Sequence, residues 1–526
     1  MFKKNTKHRQ ANIFGFTNIV SPKMAKELQA SEEQKFYEII FCNIKEEDFA
    51  CLYSEIDSRP NVPVNCMVSA ILLQHRQKLT YERLFDSIKF NLLTKTALGL
   101  QTLDEIPFSE ASLFNFQNKL NSYFVETGIN LLEKVFDRLT EQQIKELKIK
   151  TDIQRIDSFQ AASNIRRYSR LQLLVEMLIR IYRVLSEDDK KQYEELFSPY
   201  VKRTSGQFLY RLEKDTLPSE LEKVGIVYKE INDKLKAKYS DVDIFKTFER
   251  VYEEHFTVVE EKIIIKTSEE LTSGNLQSPD DIDATYREKN NKQFHGQAIN
   301  ITETCHPDNP VNILTDVAVH ANNIDDTKGL NERIDIIKDK TPELNELHFD
   351  GGYGSKENDV KFDEHVITPI QTAIRGRVNR GVEITISKKE GHYSVSCPNQ
   401  SVETEKGKKR FKAEFDLSMC SSCVFASACK LQKMKTARVY YFTEEEYLKN
   451  KRIASIQKIP KERRSLRTNV EATVSEFTRK MNNRKLKVRG YFKTTIFAFA
   501  VGISVNFGRI FRYLKAKELE PVPAAV

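Results

Sequence analysis

The chain has 526 residues, 30% of them charged, with a mean hydropathy of −0.51. That length supports roughly three domains with cores of their own, and the composition shows no apolar run approaching the ~20 residues of a membrane span. The balance of 83 Lys+Arg against 75 Asp+Glu gives only +8, so the distribution of charge matters more than its total, and eight cysteines in so long a chain exclude a disulfide scaffold. Met1-Phe2-Lys3-Lys4-Asn5 is not followed by the apolar core of a signal peptide, so the expectation is a cytoplasmic protein with no membrane partner.

Residues 1–145 read as helical. Val64, Met67, Val68, Ile71 and Leu72 recur at helical spacing, as do Tyr81, Leu84, Phe85 and Ile88. Ser109 or Ser112 is placed to cap a short helix over Glu110 to Leu120. Such a set of helices suits either a helix-turn-helix-like DNA-binding unit or a bundle for packing and dimerisation. A strand is expected at Ile153 to Phe159, and a helical insertion over about 165–275, where Leu171, Leu174, Val175, Leu178, Ile181, Tyr182 and Leu185 recur at three and four residues.

Strand signals return at Gln297 to Thr302 and Asn312 to Val319, joined by the turn-rich His306-Pro307-Asp308-Asn309-Pro310. A helix over Asn323 to Lys340 and strands at Leu344 to Asp350 and Val366 to Ile370 complete a mixed α/β sheet. Residues 382–442 change to short alternating pieces around four cysteines and read as a small β-rich insertion. The chain is helical again from Leu466 to Ala516, and the tail 516–526 is expected to be disordered.

Three acidic residues stand out. Glu346-Leu347-His348-Phe349-Asp350-Gly351-Gly352-Tyr353 is a short strand ending in a carboxylate and glycines. Alternation would bury Leu347 and Phe349 and aim His348 and Asp350 at the other face. Asp157 lies near the end of its strand. Glu471 borders the apolar stripe Val470, Val474, Phe477 and Met481, with Arg467 one turn before it. Taken singly, each has a bland reading as a turn, a strand end or an ordinary helical pair. Taken together, three carboxylates suit hard cations and two-metal phosphodiester chemistry. Between Lys461 and Gly490 ten basic residues face three acids, which points to a polyanion-binding face.

The chain resembles the DDE transposases of bacterial insertion sequences, which have an RNase-H-like catalytic core. The resemblance is carried by Val64 to Leu120, Ile156-Asp157-Ser158 with Ala162-Ser163-Asn164-Ile165, Phe294-His295-Gly296-Gln297, Asp350-Gly351-Gly352-Tyr353, Arg467-x3-Glu471, Arg489-Gly490-Tyr491 and Asn506-Phe507. It implies a catalytic domain over 146–515 behind an all-α N-terminal domain for DNA binding or dimerisation. Asp157, Asp350 and Glu471 would be the triad that binds two Mg²⁺ ions, with Mn²⁺ able to substitute. Arg467 would contact DNA, joined by Arg479, Lys480 and Arg484.

The implied activity is cleavage at terminal inverted repeats and joining of 3′-hydroxyls to target DNA by a homodimer. The alternatives are a catalytically inactive DNA-binding protein and a nuclease without strand transfer. Thr478 stands where relatives carry Lys, so either Arg479 or Lys480 substitutes or the role is lost. The absence of Trp leaves base stacking to Tyr or Phe, or the hairpin route is absent. His295 either touches the scissile phosphate or is structural. Cys397, Cys420, Cys423 and Cys429 form C-x22-C-x2-C-x5-C, which suits either a structural Zn²⁺ or free buried thiols.

Overall fold

The structure is a computed structural model that describes residues 1–10, 12–56, 60–210, 212–289, 291–372, 381–389 and 391–519. The N-terminal region is helical, its longest elements being α1 (Val64–Gln77), α2 (Glu110–Thr127) and α3 (Leu131–Leu147). Ser109 caps α2 by accepting from the Ser112 backbone, and the helix runs a further two turns past Leu120 because Tyr123 and Phe124 keep adding to its packed side. The left-handed Gly128 then stops it, and Asn130 caps α3.

Six strands make the central sheet: β1 (Ile153–Ala162), β2 (Thr285–Lys289), β3 (Lys292–Thr304), β4 (Leu314–Ala321), β5 (Glu346–Phe349) and β6 (Thr368–Gln371). β1 is antiparallel to β3, and β3 to β2 and β4; β5 is parallel to β1, and β6 to β5. The order across the sheet is β4-β3-β1-β5-β6, with β2 along the start of β3. The parallel steps need crossovers, which α4 (Asp326–Lys340) and α5 (Lys356–Glu364) supply. Gly296 sits where β3 passes the end of β1: a Cβ there would lie 2.4 Å from the Ala161 carbonyl oxygen, and its φ of +153° suits glycine.

The elements after the sheet include α6 (Val470–Thr478) and α7 (Tyr491–Leu519). They are two helices and not one helical stretch, because Asn483, Arg484 and Gly490 take positive φ and the loop between them bonds to the end of β1 through Ala162 and Leu486. Helix α7 is long and apolar enough to span a membrane, contrary to the reading of composition alone. Yet 89% of its apolar window is buried inside the protein, where it is the core helix. It continues to Leu519, so the expected tail begins later than 516, and residues 520–526 lie outside those described.

The N-terminal helices do not keep a core to themselves. Phe36, Val68, Ile71, Leu84, Phe116 and Phe136 share one buried cluster with Phe159 and Ile299 of the sheet and with Phe477, Phe497 and Phe507 of α6 and α7. The opposite face of the sheet packs Ile156, Leu347 and Phe349 against Leu330, Ile334 and Ile337 of α4. β5 is therefore covered on both faces: His348 and Glu346 are as buried as Leu347 and Phe349, and His348 Nε2 meets Glu346 Oε1 at 2.7 Å. Alternation does not mark an exposed face in a strand flanked by helices.

Two further units have clusters of their own. Helices from Arg170–Val184 to Asp243–His255, ending in a hairpin of Phe256–Val259 and Lys262–Ile265, bury Leu174, Leu178, Tyr228, Phe245 and Phe248 together. A second six-stranded antiparallel sheet spans β7 (Thr385–Lys389), β8 (His392–Ser396), β9 (Ser401–Lys406), β10 (Phe411–Asp416), β11 (Gln432–Lys433) and β12 (Ala437–Phe442).

One buried carboxylate ties sheet to helices. Glu303 of β3 is fully buried; it accepts from Arg155 Nε of β1 at 2.7 Å, from Arg509 Nη1 of α7 at 2.6 Å and from Thr473 Oγ1 of α6 at 2.8 Å. Removing it leaves buried Arg155 without its carboxylate and Arg509 with Glu476 alone, so Glu303→Ala is expected to cost about 3–5 kcal/mol. A thermal unfolding scan of the full chain reads this as a clearly lowered transition; a transition at the wild-type temperature would contradict it.

Candidate active site

The parallel register of β1 and β5 pairs Ile153 with Glu346, Gln154 with Leu347 and Arg155 with His348. Carried two residues on, it sets Asp157 level with Asp350, the first residue beyond β5. Each carboxylate is oriented by a backbone donor: Ser158 N to Asp157 Oδ1 at 2.8 Å, and Gly352 N to Asp350 Oδ1 at 2.7 Å. Gly352 leaves room for the acids, since a Cβ there would come within 3.0 Å of Asp350 Oδ1 and 3.4 Å of Asp326 Oδ2. Tyr353 then buries its ring completely, edge-on to Phe349, and anchors the turn. Burial, with Asp157, Asp326 and Asp350 nearby, keeps its phenol neutral.

Arg467 enters from the loop before α6. Its Nη2 lies 3.0 Å from Asp157 Oδ2 and 3.8 Å from Asp350 Oδ2, so one guanidinium serves both acids. The loop is held by Arg155 Nη1, which donates to the Leu466 carbonyl at 2.6 Å. Glu471, in the first turn of α6, is exposed, while Val470, Val474, Phe477 and Met481 on the same segment are buried as the apolar stripe requires. It is near enough to act on Asp157 electrostatically. Among the described residues, no three His, Cys, Asp or Glu side chains stand close enough together to ligate one ion as they are arranged.

Asp157 is pushed up to about 6, chiefly by burial, with Asp350 and Glu471 adding to the rise and Arg467 and the Ser158 N–H opposing it. A fourth acid, Asp326 at the start of α4, stands beside this pair. It accepts from Ser158 Oγ at 3.0 Å and pairs with Arg287 at 3.6 Å. Sequence reasoning missed it because an acid in a first helical turn, here after the capping Asp325, is ordinary.

The other expected site residues lie apart. His295 pairs across the sheet beyond the end of β1, about 20 Å along the strand from Asp157 at ~3.3 Å per residue, and its Nδ1 meets Gln277 Oε1 at 2.8 Å. Lys480 is half-buried and donates to the Arg76 carbonyl at 2.6 Å, whereas Arg479 and Arg484 are exposed.

Most of the basic run is exposed, although several of its members also bond within the chain. Arg463 pairs with Glu346, Arg489 with Asp280, and Lys485 and Lys487 donate to the Ile165 and Lys78 carbonyls. Cys397, Cys420, Cys423 and Cys429 line one small cavity at the edge of the second sheet.

Two family models match the chain. One, described as Transposase DDE domain, covers residues 389–511, and the other, Transposase domain (DUF772), covers 26–119. The first spans Arg467, Glu471 and the four cysteines; Asp157 and Asp350 lie outside both. No curated protein and no solved structure matches the chain.

Because Asp157 titrates above its ordinary 3.8, the folded chain keeps a proton there that the unfolded chain releases. The stability this proton supplies is complete below about pH 4 and is lost as pH rises through about 6. Asp157→Asn does not titrate, so relative to wild type its stability is expected to increase by roughly 2–3 kcal/mol between pH 4.5 and 7.5. Paired thermal scans at the two pH values check this; a pH-independent difference would show that Asp157 is not raised.

Proposed function

We propose that this chain, which belongs to the DDE transposases of insertion sequences, cuts DNA at the terminal inverted repeats of its element and joins the freed 3′-hydroxyls to target DNA through Asp157, Asp350 and Glu471. The observation that carries the reading is the level pairing of Asp157 and Asp350 at the carboxyl end of parallel strands, with the Arg467 guanidinium between them. Ligands of α/β sheets meet strand ends of this kind. The strand order β4-β3-β1-β5-β6, with its first three strands antiparallel and the last two parallel to β1, further supports an RNase-H-like core.

The donor set fits hard divalent cations. Asp157 and Asp350 present carboxylate oxygens, burial leaves Asp157 in need of positive charge, and a cationic group already lies between the two. Asp157, Asp350 and Glu471 would hold Mg²⁺ or Mn²⁺, which would supply the charge that activates an attacking hydroxyl and stabilises the leaving oxygen. The Ser158 and Gly352 N–H groups keep both carboxylates aimed at the same space.

Arg467 bridges the acid pair, balancing one of its two charges, and, once relieved of it, is placed to bind a DNA phosphate as a planar fork. Exposed Arg479 and Arg484 extend the phosphate-binding surface, the N-terminal helices supply further DNA contact, and two element ends call for a homodimer. This chemistry belongs in the cytoplasm with the DNA.

A second reading, a DNA-binding protein without catalysis, draws on Thr478 and on the capture of the Lys480 ammonium by the Arg76 carbonyl. Cleavage of a labelled duplex carrying the terminal repeats, with Mg²⁺, separates the two. Wild type is expected to nick at the element end and to join a 3′-hydroxyl end to a second duplex. Asp350→Ala, at a partly exposed position, is expected to bind equally but to lose at least about 10²–10³-fold in cutting. Binding without cutting by wild type would favour the second reading, and cutting without joining a nuclease.

A further inference from the structure

The second sheet is a small unit whose own cluster has nine buried apolar residues, among them Ile386, Tyr393, Val395, Phe415 and Phe442. From Ser422 to Leu431 the chain has no helix or strand; tight turns shape it instead. Cys423 N donates to Cys420 O at 3.4 Å, Ala426 N to Cys423 O at 2.9 Å and Cys429 N to Phe425 O at 2.9 Å. These turns bring Cys420, Cys423 and Cys429 against Cys397, which follows β8. The four sulfur-bearing side chains, with Val382, Phe415 and Leu431, line a cavity of about 20 Å³. That volume suits one small particle.

Donors already converge on the sulfurs. Gln400 donates from its backbone N to Cys397 Sγ and from Nε2 to Cys420 Sγ, both at 3.3 Å. Arg438 lines the same cavity and braces the loop through the Cys429 carbonyl at 3.0 Å and the Ala426 carbonyl at 3.1 Å. Its Nε is buried and has no acceptor among the described residues. Neutral thiols have little use for two amide donors and an unspent guanidinium N–H. Thiolates do, because N–H···S bonds and a neighbouring positive charge offset the excess negative charge of a four-sulfur site.

We propose that Cys397, Cys420, Cys423 and Cys429 hold a single structural Zn²⁺ in this cavity, with Gln400 and Arg438 as its outer donors. Four sulfur ligands and no oxygen select a soft-tolerant tetrahedral ion over Mg²⁺, so this site is chemically separate from the carboxylates. Binding forms four Zn–S bonds and releases the four thiol protons to solvent, with no change of oxidation state. The thiols line one cavity but do not stand at ligand distance of a common point, so binding would draw them together.

The test uses the full chain purified under reducing conditions. About one zinc per chain is expected to survive gel filtration and to be released by a thiol-specific mercurial. Cobalt substitution is expected to give the sulfur-to-metal charge-transfer band of a tetrahedral thiolate site, which carboxylates do not produce. Cys420→Ser should lower the zinc content severalfold, while Cys51→Ser, at a lone exposed thiol, should leave it unchanged. If Cys420→Ser does not fold, mercurial release and the cobalt spectrum of wild type decide. A chain that carries no zinc, or whose cysteines are disulfide-bonded by mass, would overturn the proposal whatever the outcome of DNA cleavage.

Discussion

The arrangement of the candidate site depends on the buried charge of Glu303. Asp157 and Asp350 sit on neighbouring strands, and backbone pairing alone can register them. Arg467 and Glu471 arrive from more than a hundred residues further on, and nothing in the sheet's hydrogen bonding places them. What fixes them is a carboxylate on β3 that simultaneously satisfies Arg155 on β1, Thr473 on α6 and Arg509 on α7. Arg509 continues to Glu476 at 2.7 Å, and Arg155 reaches past Glu303 to the Leu466 carbonyl. A network of this kind is costly to bury and costly to break, but its directionality sets one orientation of α6 on the sheet, which apolar packing of Val470 and Phe477 would leave loosely specified.

Asn506, just under one turn before Arg509 on α7, performs a similar service. Its amide donates to the Leu314 carbonyl at 2.9 Å and accepts from the Leu314 N–H at 2.7 Å, standing in for a strand partner at the start of β4. Helix α7 is apolar nearly all round because it has neighbours nearly all round: the N-terminal helices on one side, the sheet on the other. The N-terminal region thus shares one core with α7 and the sheet.

Local pattern carried the elements well and their meeting points poorly. β1, α4 and α6 were legible because strand alternation and helical spacing are short-range signals, and Ser109 announced its helix by its position. The level pairing of Asp157 with Asp350 was not legible, since register between strands 193 residues apart leaves no trace in either one. Glu303 was invisible for another reason: nothing in Thr302-Glu303-Thr304 marks it, and only the third dimension supplies its two arginines. The basic run was legible as largely exposed positive charge, but its partners were not: Arg463, Lys480, Lys485 and Lys487 also bond to an acid and to carbonyls that lie far away in sequence. Helix α7 escaped notice as a core helix because Thr494, Thr495, Ser504 and Asn506 interrupt its apolar run, each buried with its hydrogen bonds satisfied locally or by the sheet.

The acid pair raises a problem of charge that Arg467 answers only in part. Two carboxylates brought level on adjacent strands repel, and burial of Asp157, the main cause of its raised pKa, adds to the cost of its charge, with Asp350 and Glu471 contributing less. One guanidinium at 3.0 and 3.8 Å balances one of the two charges. Asp326 adds another negative group nearby, itself matched by Arg287. The site is thus left short of positive charge by about one unit, and Glu471 on the exposed side deepens the deficit. In the function proposed, that deficit is the driving force for taking up hard cations, and Arg467 is the group they displace. A residue that bridges the two acids, and is released toward a phosphate when cations take its place, would couple occupancy of the carboxylates to grip on the DNA.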